Sequence, residues 1–199
     1  FYNIMSKNDY NPISYAREEN LVLNGINQYI GDVNASDSLK FSQCFNVEAF
    51  GYHITNHKED CIDIVRGVNY YLHDMVLTPK GKNGITIKGG AKNVILENLI
   101  FESHGKECDI ELGMWSDYDI VKRPKTRKVK IKNCRARDGK PLIVRCWYSD
   151  KPEIINSNVK ILWWPPIVSP AYFLLRKKGL LGKLKKVEPS NLVIDPRER

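Results

Sequence analysis

A chain of 199 residues with 42% hydrophobic side chains is long enough for one domain with a sizeable core, and no run of 18 apolar residues marks a membrane-spanning helix. The net charge of +8 conceals an asymmetry: residues 1–120 hold 10 Lys and Arg against 17 Asp and Glu, while residues 121–199 hold 21 against 6. Five cysteines, Cys44, Cys61, Cys108, Cys134 and Cys146, without a CxxC pair argue against a disulfide framework or a zinc site and point to reduced core thiols.

The sequence opens on Phe1 rather than Met, so its natural start is expected upstream. Residues 1–20 are polar and aromatic and read as an N-terminal arm. Residues 21–162 then repeat with a period of about 24 residues. Each repeat begins with an alternating strand carrying Ile62/Ile64, Ile85/Ile87, Ile110/Leu112 or Leu142/Val144. Alternation with period two puts each pair on one inward face. A second strand follows a polar corner, carrying Tyr70/Leu72, Val94/Leu96, Val129/Ile131 or Pro152/Ile154. Two residues further on come Asp74, Asn98, Asn133 and Asn156, with Asn46 and, more weakly, Asn24 extending the series upstream. An insertion from Ser116 to Lys125 stretches the third repeat.

Short strands repeated with inward Val, Ile and Leu and an Asn at a fixed corner predict an all-β chain. Its expected form is a right-handed parallel β-helix, a pectin-lyase-like solenoid of about five to six coils. The corner residues Asn46, Asp74, Asn98, Asn133 and Asn156 are expected to form a hydrogen-bonded ladder. Helical periodicity between the strands, which a βαβ sheet needs, is absent. Residues 163–199 contain Pro165, Pro166 and Pro170, which stop regular coils, and a basic stretch interleaved with leucines. That tail reads as a cap over the open solenoid end and as a docking segment carrying Arg176, Lys177, Lys178, Lys183, Lys185 and Lys186.

Three constellations are candidates for chemistry. In "KEDCIDIVRG", Asp63 points outward between Ile62 and Ile64, Asp60 lies at the corner before them, and the outward column continues through Thr86, Glu111 and Ile143. Asp63 and Glu111 would stand two coils apart, ~9–10 Å, within the range of an inverting carboxylate pair. The plain alternative is a polar solvent face. "GMWSD" and "CWYSD" echo each other; aligning Leu112 with Val144 stacks Trp115 on Trp147, with Ser116, Asp117, Ser149 and Asp150 beside them. Such a platform suits a sugar or a docked protein, or else closes a corner. Lys128, Lys130 and Lys132 share one outer strand face as a basic patch, without the interleaved aromatics that sequence-specific nucleic-acid reading requires. No metal-ligand spacing or cofactor-binding loop is present, so no metal and no cofactor is expected.

"EDCID" resembles the Asp-Asp-Cys stretch of polygalacturonases, with Glu59 in place of the first Asp; "SHGK" and "TIKGG" depart from that family's Gly-His-Gly and Arg-Ile-Lys. Over residues 55–165, "EDCIDIVRG", "ITIKGGAKNVILENLIFESHGKECDIELGMWSD", "RDGKP" and "WYSDKP" resemble short single-domain β-helix proteins of tailed, marine podovirus-like bacteriophages. That resemblance implies a non-enzymatic virion component, a capsid decoration or tail part. The basic C-terminal region is then expected to dock on an acidic surface of other virion proteins, with a homo-oligomer possible. The second expectation is a carbohydrate-binding or polysaccharide-degrading β-helix that uses Asp60, Asp63 and Glu111 or the tryptophan platform.

Overall fold

The computed structural model describes residues 13–33, 36–113 and 124–163. These residues wind through eighteen strands. The first coil is β1 (Ile13–Ala16), β2 (Glu19–Asn24) and β3 (Tyr29–Val33); the second is β4 (Leu39–Ser42), β5 (Phe45–Phe50) and β6 (His53–Asn56). The third is β7 (Ile62–Val65), β8 (Val68–His73) and β9 (Val76–Pro79); the fourth is β10 (Asn83–Lys88), β11 (Lys92–Glu97) and β12 (Ile100–Phe101). The fifth is β13 (Cys108–Leu112), β14 (Arg127–Lys132) and β15 (Arg135–Ala136), followed by β16 (Leu142–Cys146), β17 (Glu153–Ile155) and β18 (Val159–Trp163). Every third strand pairs in parallel, save that β18 follows β16 directly in the first sheet, giving three sheets: β1-β4-β7-β10-β13-β16-β18, β2-β5-β8-β11-β14-β17 and β3-β6-β9-β12-β15. The protein is therefore an all-β parallel solenoid of about five turns, with no helix among the described residues.

The inward rungs stack as the repeat requires. In the first sheet Leu39, Ile62, Ile85, Ile110 and Val144 form one column and Phe41, Ile64, Ile87, Leu112 and Cys146 the next. All ten are buried. A one-residue slip would turn these side chains to solvent, so burial itself holds the register. The last pairing differs from the sequence alignment: Leu112 lies opposite Cys146, not Val144, and Glu111 lies opposite Arg145, not Ile143. All five cysteines are buried and free.

Three strands per coil, rather than two, is the main departure. The third strands are short, and the fourth and fifth coils devote only two residues each to them. So brief a segment shows no alternation, although Ile54, Leu77 and Phe101 supply its buried rungs. The first strand also begins at Ile13, within the residues read as an arm, and pairs with Leu39–Ser42.

At the corner between the second and third sheets, Asp74, Asn98, Asn133 and Asn156 all adopt positive φ, between 45° and 54°. Asn and Asp tolerate this left-handed conformation better than other side chains. Asn98 donates its amide to Asp74 Oδ1 (2.9 Å), and Asn156 donates to Asn133 Oδ1 (2.8 Å). These are exposed side chain-to-side chain bonds, not bonds to buried carbonyls. Asn46 does not belong to that series; Gly51, at φ 78°, precedes Asp74 there and donates its N–H to the Asp74 carbonyl.

Asn46 instead belongs to a second ladder, at the entry to the second sheet. Asn46 donates to Asn20 (2.9 Å), Asn69 to Asn46 (2.8 Å) and Asn93 to Asn69 (2.9 Å). All four have φ between 53° and 64°, and Lys128 continues the conformation at 55°. The corner before the third rung is tight: Gly67 has φ 88°, and a Cβ there would collide with the Cys44 carbonyl oxygen. Only glycine meets both conditions at once.

Candidate functional site

The outer face of the first sheet carries a cluster of charged residues. Register stacks Lys40, Asp63, Thr86, Glu111 and Arg145 in one outward column across five successive strands. Asp63 and Glu111 thus stand two coils apart, as the repeat predicts. Asp37, Asp60 and Asn83 line the corner that leads into the same strands; the Asp60 N–H points at Asp37 Oδ1 at 3.4 Å.

Asp63 is fully buried. Lys40 donates to its Oδ2 at 2.6 Å and to Asp37 Oδ2 at 2.9 Å, and Lys88 lies 2.9 Å from Oδ1 as an ion pair without hydrogen-bond alignment. Burial pushes the Asp63 carboxyl up, while Lys88 and Lys40 oppose that push. With two ammonium groups this close, Asp63 serves as their counter-charge. Burial alone would lower Lys40, but its bonds to Asp63 and Asp37 outweigh this and raise it.

Asp60 is in a different situation. It is 6% exposed, its Oδ1 has no hydrogen-bond partner, and it has no lysine of its own. Burial pushes its carboxyl up to about 7, Asp37 and Asp63 add to the rise, and a hydrogen bond with Thr86 and the charge of Lys88 oppose it. For Asp37, burial works against ionisation, yet Lys40 prevails and holds the carboxyl below its ordinary value. Two carboxyls one coil apart are thus driven in opposite directions.

Glu111 closes the far end. Trp147 donates its indole N–H to Oε1 (2.6 Å), and Asn83 donates to Oε2 (3.4 Å) and to the Thr86 hydroxyl (3.1 Å). Burial raises the Glu111 carboxyl against the pull of Trp147 and Arg145. Arg145 donates to the Glu107 carboxylate (3.1 Å) and carbonyl (2.6 Å).

Trp147 therefore belongs to this face, whereas Asp150 does not: it pairs with Lys125 at 3.0 Å beside the second sheet. Ser149 is buried in an isolated bridge to Thr126. Trp115, Ser116 and Asp117 lie outside the described residues, but the Leu112–Val144 alignment that stacked Trp115 on Trp147 is replaced by Leu112–Cys146. In the basic patch, Lys130 pairs with Glu153 (2.8 Å) and Lys132 with Glu97 (2.7 Å), so much of its charge is neutralised within the protein. Arg176, Lys177, Lys178, Lys183, Lys185 and Lys186 lie outside the described residues.

Beside the site, His104 sits between two carboxylates, with Nδ1 2.9 Å from buried Asp109 and Nε2 3.2 Å from Asp138. Asp109 also accepts the Ile143 N–H at 2.7 Å, which ties the fifth coil to the next. Hydrogen bonding to Asp109, then its charge, raises His104 above its ordinary value despite burial. Among the described residues no three His, Cys, Asp or Glu side chains converge as metal ligands.

Asp37, Lys40, Lys88 and Arg145 were absent from the sequence-derived candidates. The signal for two of them was present, since Asp37 and Lys40 precede Asp60 and Asp63 by one repeat of 23 residues. Lys88 and Arg145 join through register and side-chain reach. The fold and this face define a parallel β-solenoid protein with a buried carboxylate–lysine network on its first sheet. No protein-family model, curated protein or solved structure matches the chain.

Proposed function

We propose that the protein is a right-handed, pectin-lyase-like solenoid that hydrolyses glycosidic bonds of a polysaccharide on the outer face of its first sheet. Right-handedness follows the strong preference of connections between parallel strands of one sheet. The observation that carries the activity is the unlike surroundings of two carboxyls one coil apart: Lys40 donates to Asp37 at 2.9 Å and holds it low, while Asp60 is buried with Oδ1 unpartnered and is pushed up to about 7. Acid and base assignments in glycosidases rest on such divergence.

In this reading Asp60 protonates the glycosidic oxygen as the bond to the anomeric carbon breaks, and the Asp37 carboxylate attacks that carbon. Water, deprotonated by Asp60, then releases the sugar from Asp37. Adjacent strands are ~4.8 Å apart, which suits the ~5 Å carboxyl separation of retaining enzymes. Lys40 holds Asp37 in its ionised form, and Asp63 compensates Lys40 and Lys88. The test is reducing-sugar release over a panel of neutral and acidic polysaccharides, with the anomeric product followed by NMR. Retention of configuration, abolished by Asp60→Asn and Asp37→Asn, is the expected result; absence of turnover across the panel overturns it.

A second reading draws on the excess positive charge of residues 121–199: a virion-associated phage protein docking on an acidic partner through its basic tail. Deleting residues 171–199 should then abolish association with phage particles, and unchanged association would defeat it.

A further inference from the structure

The second sheet carries a groove on its outer face that takes no part in the carboxylate network. It encloses about 1050 Å³ and extends from Asn20 and Val22 on β2 to Glu153 on β17. Six stacked strands give it a length of ~24 Å at ~4.8 Å per step. The ladder Asn20–Asn46–Asn69–Asn93 forms one side, and Val22, Glu48, Tyr71, Ile95, Lys130 and Glu153 lie in register along the floor. Val22 is 40% exposed, an apolar side chain left in water at the mouth of a long trough.

We propose that this groove binds an extended, neutral, β-linked glycan lying parallel to the solenoid axis. Within the ladder, Asn46 and Asn69 each give one amide hydrogen to the rung before and accept one from the rung after. An Asn side chain has two donor hydrogens and two acceptor lone pairs, so both kinds of group remain for a ligand at every rung. Sugar hydroxyls, each both donor and acceptor, match such a row, and the rung spacing is close to the length of one sugar unit in an extended chain.

The floor supplies apolar surface for the faces of pyranose rings in the neighbouring Tyr71 and Ile95, with Val22 beyond Glu48, and polar side chains between and after them. Charge along the groove is partly cancelled internally, since Lys130 pairs with Glu153 and Asp150 with Lys125, and the remaining lining charges, Glu48 against Lys128 and Lys151, are of mixed sign. With three acidic and three basic side chains in its lining, the groove has no excess of one sign, which favours an uncharged ligand over a polyanion. A β-strand from another protein would need free backbone N–H and C=O groups, but those of the second sheet's inner strands are used in its own ladder. The binding shares with the hydrolase reading only its class of ligand and does not depend on turnover.

The experiment is titration calorimetry of the full chain with cellohexaose, mannohexaose and polygalacturonate, with reducing-sugar release read in the same samples. Saturable binding of a neutral hexaose is expected, weakened about tenfold by Tyr71→Ala and by Asn69→Gly, the latter preserving the positive φ. Ile95→Lys, an exposed-face change that leaves the inward rungs intact, should abolish it, with unchanged circular dichroism confirming the fold. No hexaose binding, binding indifferent to all three substitutions, or preference for polygalacturonate would overturn the proposal. So would self-association that Ile95→Lys removes without any glycan binding. Binding without turnover here or across the polysaccharide panel defeats the hydrolase reading alone; turnover without Tyr71-dependent binding defeats the groove alone.

Discussion

Asp60 stands one coil above Asp37, its backbone N–H 3.4 Å from the Asp37 carboxylate, yet only Asp37 has a lysine within hydrogen-bonding distance. That difference in partners, together with the burial of Asp60, separates the two carboxyls.

Because burial lifts Asp60 to about 7, its neutral form is the one the fold favours. Stability from this group is greatest below its unfolded value of ~3.9, declines as pH rises towards 7, and is level above that. Asp60→Asn, which removes the buried charge, should therefore stabilise the protein at pH 8 and change little at pH 4. The rise to about 7 caps the gain at ~4 kcal/mol. Urea unfolding at the two pH values checks it, and equal effects at both would contradict the assignment.

Removing Asp63 has the opposite sign. Asp63→Ala leaves Lys40 and Lys88 facing each other without their shared counter-charge. Breaking a buried pair costs ~3–5 kcal/mol, and the partial exposure of both lysines reduces this to about 2–3 kcal/mol. Added salt should recover part of the loss in melting temperature.

The Asn ladder separates conformation from hydrogen bonding. Asn69 holds φ 64° and bonds to rungs on either side. Asn69→Ala loses the bonds and places an ordinary side chain in the left-handed region, at about 2 kcal/mol or more. Asn69→Gly loses only the bonds, so it should lie between Ala and the native protein in denaturant midpoint. If Gly proves as costly as Ala, the bonds dominate and the backbone argument fails.

His104 gives a pH dependence of its own. Its folded value is raised, chiefly by the bond to Asp109, so its contribution is fully present below the unfolded value of ~6.5 and is lost as pH rises through the folded one. Melting temperatures at pH 6 and pH 8.5 should differ more for the native protein than for His104→Gln. An identical difference would remove His104 from the clamp.

The inward rungs were legible because burial acts on every coil alike: Ile62, Ile85 and Ile110 recur at the period and stack as expected. The third strands of the fourth and fifth coils were not, since Ile100–Phe101 and Arg135–Ala136 are too short to alternate. Asn46 was assigned to the wrong ladder because two corners of each coil use Asn in the same left-handed conformation, and spacing alone does not say which corner a lone Asn occupies.

What the sequence by itself determined is the solenoid: a period, its apolar columns and its polar corners, all properties of residues close along the chain. Only the tertiary structure decided which carboxylate meets a lysine and which is buried without one. Asp37 and Asp60 are alike in sequence, both acidic residues at a coil's entry. Asp37 meets Lys40 across a turn, Lys40 reaches one coil further to Asp63, and Asp60 is left buried with Thr86. Desolvation and distance set those outcomes, and both come into being only when the coils stack.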